Sequence, residues 1–487
     1  MSKGFGIHGS TTDHGGVVIS TQSRSSQMGN LFLRAGDGFA CPKCKTWSTL
    51  IKSNDHVIFD GKAVAYVGDK FTCGATLMPK QVHVVGTGGG GFNNSSVSNF
   101  PTANNQLTNN FLSEKNNFDI ELNNISIKTD LFVPCGAPSH QGKKSNDKID
   151  FEIKIKKGIF EYLKLEIETE PGKYQSIKRI SGPHHPGKKI KVDWDGFVND
   201  VYDSKKFTSK DGINFRVRGY AFDKEQCSHI ENAQFKYSNK TWIDSLINRK
   251  TLKIAITLRV GLSDGGEQGI DSWKYIPPNQ ILVGKPPYRS RNVSFGQLKT
   301  MALDGMKYHW SRNSSHPVGK SILLDGKNYE VFLTAQDSTE NMMPMMKLIF
   351  ATNWRPTRSA NWELYRSTFY NTGYMLFNTS RGAIWQFWDA SKANKQFKLT
   401  FAHEMGHELL LAYSGQKYSK GHKSTSGIIN QSPKAGTTYP KSGEIDLMKY
   451  ADENENSINL FHERSVASQE DVGGLLFISG IKKKKKN

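Results

Sequence analysis

GDGFACPKC, residues 36–44, places a Gly-Asp pair three residues clear of Cys41 and follows that cysteine with Cys44 in a C-x-x-C spacing. The layout recurs on either side. GSTTDH at 9–14 puts Gly-Ser three residues clear of His14, and GDKFTC at 68–73 puts Gly-Asp three residues clear of Cys73. Three equal spacings predict a pseudo-threefold unit in which His14, Cys41 and Cys73 occupy equivalent places and Cys44 adds a fourth donor. One imidazole and three thiolates make a closed tetrahedral set, the signature of a structural zinc with no open position. The intervening segments, such as VVIS, LFLRAGD and HVIFDGKAVAYVGD, alternate apolar and polar residues between Gly and Asp. That pattern predicts a small all-β unit of tight turns. Such a Gly-rich unit buries little core, so metal binding contributes folding energy directly.

TTDHGGVVIS, GDGFACPKC and DGKAVAYVGDKFTCGATL resemble the PAAR domain, the zinc-tipped cone that caps the spike of bacterial type VI secretion. The resemblance covers residues 1–87. It implies docking on the blunt end of a trimeric spike protein (VgrG) and export without a signal peptide. Two departures stand out: the eponymous Pro-Ala-Ala-Arg is Ala63-Val64-Ala65-Tyr66 here, and the donor set holds more cysteines than histidines.

The chain has 487 residues, more than one core usually supports, so two to three domains are expected. Lys and Arg number 65 against 45 Asp and Glu, a net charge of +20. A basic surface spread over several domains accounts for that balance, and no recognisable nucleic-acid motif accompanies it. No stretch reaches the roughly 18 apolar residues of a membrane helix, and the opening MSKGFGIHGS lacks the apolar run of a secretory signal. Cys135 and Cys227 are either free thiols or a disulfide.

Residues 88–117 are rich in Gly, Asn and Ser and read as a flexible linker. From 118 to 262 many short alternating segments predict a middle antiparallel β-sandwich-like domain, a spacer or a docking module for the spike or a loading chaperone. His184 and His185 lie in SGPHHPGKK, which reads as a solvated turn. Residues 263–480 hold most of the tryptophans and methionines, with helical periodicity near FGQLKTMALDGMKYHW and from Ser391 to Ser414. The lysine run within 481–487 reads as a solvated tail.

Within that last large segment, FAHEMGHELLLAYSG at 401–415 carries H-E-x-x-H. Its helix is expected to start near Asp389 or Ser391 and to stop at Gly415. His403 and His407 then project from one face, one turn apart, as two zinc ligands require. Glu404 is carried beside the metal without ligating it, where it can take a proton from a zinc-bound water. Phe401, Ala402, Met405, Leu409 and Ala412 would bury the opposite side. The longer pattern H-E-x-x-H-x-x-G-x-x-H is excluded by Leu410 and Tyr413. His422 is the expected third ligand, with Asp446, Glu444 and His462 as alternatives. Met448, in EIDLMKY, is placed to pack under the ligands or in an ordinary core.

TFAHEMGHELLLAYSG, GHKSTSG and GEIDLMKY are similar to the zincin metallopeptidase toxins often fused behind PAAR domains. The resemblance implies a C-terminal α+β zincin-like domain, with His403 and His407 as zinc ligands and Glu404 as general base. Tyr413 or Tyr418 would help the oxyanion. The whole chain is then expected to be a secreted antibacterial effector with one structural and one catalytic Zn²⁺, hydrolysing amide bonds in a target cell, in its periplasm or its cytoplasm. A cognate immunity protein is implied in turn. Two other readings stay open: an endopeptidase for peptidoglycan cross-links, and a non-enzymatic spike-tip adaptor whose second zinc is closed by Glu408, Glu444, Asp446 or His462.

Overall fold

The computed structural model describes residues 2–22, 25–27, 30–53, 57–59, 61–80, 85–87, 118–222, 224–271, 285–352, 358–362, 365–378, 382–415, 423, 425, 432–451 and 461–485. The expected 88–117 linker lies outside them. The chain is mostly β with few helices, and it divides into two compact units, Met1–Asn104 and Asn105–Asn487.

In the first unit the repeated sequence becomes repeated geometry. Gly9, Gly36 and Gly68 take φ of +80°, +92° and +93°, a left-handed conformation that favours glycine. The next residue in each repeat folds back. Ser10, Asp37 and Asp69 accept the amides of Ile7, Arg34 and Tyr66 through their side chains at 3.3, 2.8 and 2.7 Å. Their own amides donate to the carbonyls of the same three residues at 3.0 Å. Short-side-chain turns of this kind need no partner strand, which is why the sequence alone specifies them. The three repeats then close on one another: Gly6 N–H donates to Ala65 O, Ala65 N–H to Leu33 O and Leu33 N–H to Gly6 O, at 2.8, 2.9 and 2.9 Å. The three bonds form a closed cycle, so each repeat is tied to both others. Val18, Leu33, Phe39, Leu50, Phe71 and Leu77 fill the inside, together with Cys41.

The second unit opens with two antiparallel sheets. One orders Lys189–Trp194, Ile149–Lys157 and Asp119–Ser126, and the other Lys173–His184, Phe160–Glu170, Ile213–Ala221 and Lys224–Ala233. Strict alternation in IDFEIKIKK turns Ile149, Phe151, Ile153 and Ile155 inward. Phe151 and Trp194 of the first sheet meet Phe215 of the second at ring distances of 5.1 and 5.9 Å. His184 is corrected by this arrangement: it ends a strand opposite Phe160 and is buried, whereas His185 is exposed. Cys135 and Cys227 are both free thiols.

The boundary expected between 262 and 263 falls inside a strand. Lys253–Gln268 pairs antiparallel with Ile243–Asn248, then parallel with Lys327–Asp337 over its first half and with Met343–Ala351 over its second. Tyr365–Asn371 and the edge strand Ala360–Trp362 extend the sheet. Gly265, just past the expected boundary, is a position of close approach, since a Cβ there would collide with Ile349. The lysine run is corrected too. Ile481–Lys483 forms a strand against Phe235–Tyr237, and Ile481 is fully buried and exchanges backbone hydrogen bonds with Phe132 at 2.9 Å.

Two helices pack on this sheet. Phe295–Trp310 begins with a capping box between Ser294 and Gln297, and Ala390–Ser414 is capped by Asp389, whose carboxylate accepts Lys392 N–H at 2.8 Å. They touch at Gly305, where a Cβ would run into the Lys398 carbonyl. Alanine there raises helix propensity by about 1 kcal/mol. Backbone cannot swing aside as a side chain can, so Gly305→Ala is nevertheless expected to destabilise the unit by about 1–3 kcal/mol, read by chemical denaturation.

Candidate metal centres

The first donor set sits in the N-terminal unit. His14 Nδ1 lies 3.7, 3.5 and 4.0 Å from the sulfurs of Cys41, Cys44 and Cys73, and all four donor atoms fall within 4.8 Å of one another. Zinc bonds of about 2.0–2.3 Å in a tetrahedron require donor separations of this size. Ser48 and its neighbours pull the Cys73 thiol down to about 6, while Cys41 pushes Cys44 up to about 11. Adjacent sulfurs resist ionising together unless a cation sits among them. The quartet therefore fits a structural zinc, and it is the only group of three or more such donors this close among the described residues.

The second set lies on the helix Ala390–Ser414, which ends at Gly415 with φ +87°. Phe397, Phe401, Ala402, Met405 and Leu409 bury one side. The His403 and His407 rings are 5.0 Å apart at 88°. His403 Nδ1 donates to Leu447 O at 2.8 Å, which turns Nε2 toward any metal. Met448 follows and packs under the helix, where a Cβ on Gly406 would approach its sulfur to 2.5 Å. Glu404 is 8% exposed; burial pushes its carboxyl up to about 7, opposed by the Arg358 charge.

The other expected residues divide. Asp446 accepts Met448 N–H at 3.0 Å and pairs with Lys423 at 2.8 Å, so it builds the turn. Glu444 pairs with the buried Arg312. Glu408 is buried between Lys240 and Arg366, at 4.0 and 3.8 Å. His462 packs on Tyr308 and His309. Tyr413 is corrected: its hydroxyl donates to Pro138 O at 3.2 Å, so it serves packing. His422 and Tyr418 lie outside the described residues. Sequence reasoning missed Tyr450, which stacks on His403 at 5.5 Å and 9° and hydrogen-bonds Arg358. Its signal was in EIDLMKY itself; Arg358 gave none.

Buried histidines set an acid limit on the metal-free chain. Burial pushes His403 and His309 down to about 3 and His462 down to about 4, from an ordinary 6.5. Below 6.5 the unfolded chain therefore binds more protons than the fold, and stability falls by about 1.4 kcal/mol per pH unit per histidine. Chelator-treated protein is expected to melt at markedly lower temperature at pH 5 than at pH 7, and His403→Gln to reduce that difference.

Residues 8–79 match the PAAR motif. The chain carries a PAAR domain. That motif belongs to type VI secretion spike-tip proteins and implies association with VgrG and export by that system. No helix among the described residues is long and apolar enough to cross a membrane. No curated protein matches the chain. Among solved structures, a β-glucuronidase from Ruminococcus gnavus in complex with D-glucuronic acid aligns at 9% identity over 45% of this chain and 31% of its own, with a TM-score of 0.13. A second structure of that enzyme aligns at 7% identity over 48% of this chain and 30% of its own, also at 0.13. The chain thus spans about a third of those proteins' length, and a likeness this slight carries no argument.

Proposed function

We propose that the chain is a spike-tip effector whose second unit, zincin-like and α+β around residues 263–480, is a zinc-dependent metallopeptidase that cleaves peptide bonds in a target bacterium. The observation that carries this reading is the buried helix presenting His403, Glu404 and His407 together, with His403 Nδ1 fixed on Leu447 O.

The donors fit zinc: two imidazoles at ligand spacing, one oriented by a backbone carbonyl. His403, His407 and His422 would hold it. Bound there, the ion supplies Lewis acidity toward a carbonyl oxygen and a water acidic near pH 7. Glu404 takes the proton of the attacking water and hands it to the leaving amine. Arg358 and Tyr450 stand beside Glu404 as donors to a developing oxyanion.

The test is expression of the chain in the cytoplasm or periplasm of a susceptible bacterium, paired with assay of the purified protein on peptides and on peptidoglycan. Growth arrest with peptide cleavage supports the reading. Cleavage confined to wall cross-links narrows the substrate to them. An inert chain in both compartments returns it to a spike-tip adaptor.

A further inference from the structure

Three histidines crowd Tyr308. The rings of His309, His316 and His462 lie 4.9, 4.8 and 5.2 Å from the Tyr308 ring, and the three residues are 0%, 4% and 8% exposed. Each keeps one ring nitrogen buried without a hydrogen-bond partner. Their tautomers differ. His316 Nδ1 accepts the amides of Gly319 and Val318 at 2.9 and 3.3 Å, so its proton is on the unpartnered Nε2. His309 Nδ1 instead donates to Ser465 O at 2.7 Å, which leaves a bare lone pair on Nε2. His462 hydrogen-bonds the Lys395 backbone, and its Nδ1 is the unpartnered atom. Two buried imidazoles, each with one nitrogen lacking a hydrogen-bond partner, thus lie ring against ring in the interior.

Their geometry repeats that of the H-E-x-x-H pair. The His309 and His462 rings are 4.7 Å apart at 89°, against 5.0 Å and 88° for His403 and His407. His309 is oriented by a backbone carbonyl at 2.7 Å as His403 is at 2.8 Å. A carbonyl behind one ring nitrogen is the usual support of a metal-ligating histidine. The nearby Lys395 and Lys398 are offset by Glu463 and Asp304, at 4.0 and 3.4 Å.

We propose that His309 Nε2 and His462 Nδ1 form an additional transition-metal site, taking a borderline divalent cation such as Zn²⁺, Ni²⁺ or Cu²⁺. Neutral imidazole suits these ions, and the absence of a carboxylate from the pair disfavours Mg²⁺ and Ca²⁺. Two protein donors leave positions for water or a small ligand. The ion joins the end of the helix Phe295–Trp310 to the segment before the strand Ser465–Val466. That strand pairs with Ile445–Asp446, next to the Leu447 carbonyl that orients His403.

The test counts ions on the intact chain. Full-length protein is stripped with chelator, titrated with Zn²⁺ and read by native mass spectrometry, beside His462→Phe and a His403→Gln/His407→Gln double variant. Phenylalanine keeps the stack on Tyr308 and removes both nitrogens. The expected result is one ion fewer in His462→Phe than in wild type, and a further ion lost when the double variant is added. An unchanged count in His462→Phe overturns the proposal. An unchanged count in the double variant alone counts against the peptidase site instead. If His462→Phe does not fold, His462→Gln takes its place. If that also fails, a wild-type chain saturating at two ions, the number the other two donor sets account for, overturns the proposal.

Discussion

A Glu404→Gln chain is expected to keep its fold and its zinc and to lose peptide hydrolysis by a factor of about 10²–10⁴, the range that a positioned proton carrier contributes. The amide has the shape of the carboxylate and cannot accept the water's proton. Shape matters because the side chain is buried beside Arg358, while the backbone carbonyl of Glu404 accepts Asn361 Nδ2–H at 2.9 Å. The comparison requires zinc analysis, peptide turnover and growth arrest on the same preparations. If Glu404→Gln arrests growth as wild type does, with equal zinc, the hydrolase reading fails.

Loss of the thiolate cluster has the larger effect on folding. Structural zinc in small domains contributes about 10–16 kcal/mol of binding free energy that is in effect folding free energy. The N-terminal unit has two small apolar clusters, so little else offsets that loss. Cys41→Ser, or a strong chelator, is expected to expose residues 1–80 to protease and to abolish export, while the second unit keeps its thermal transition. Full protease resistance in a chain shown to be zinc-free would count against a metal-dependent fold.

The first unit could be read from sequence because its determinants are local. A glycine at positive φ, a short polar side chain bonding back three residues and a donor at fixed distance recur as text before they recur as geometry. The Ala390–Ser414 helix was legible for a similar reason, with Asp389 and Gly415 at its ends. What failed was non-local. The expected 262/263 boundary failed because Gly265 packs closely on Ile349 of the neighbouring strand, a contact no local pattern reveals. The lysine run looks like a tail because strand pairing uses backbone groups that charge does not reveal, and the buried Ile481 beside it is a single apolar residue. Tyr413 was misplaced because its partner, Pro138, is far away in sequence. His309 and His462 belong to no motif, and only the fold brings them together.

The pairing of Ile481–Lys483 with Phe235–Tyr237 also fixes an order of events during synthesis. A ribosome emits the first unit ahead of the second, and its repeats can close on one another as soon as they emerge. The second unit must wait, because the strand that completes its early portion is made hundreds of residues later, and long-range closure of that kind is slow. The helix Ala390–Ser414 therefore emerges into an unfinished unit, which is completed only after synthesis has passed residue 483.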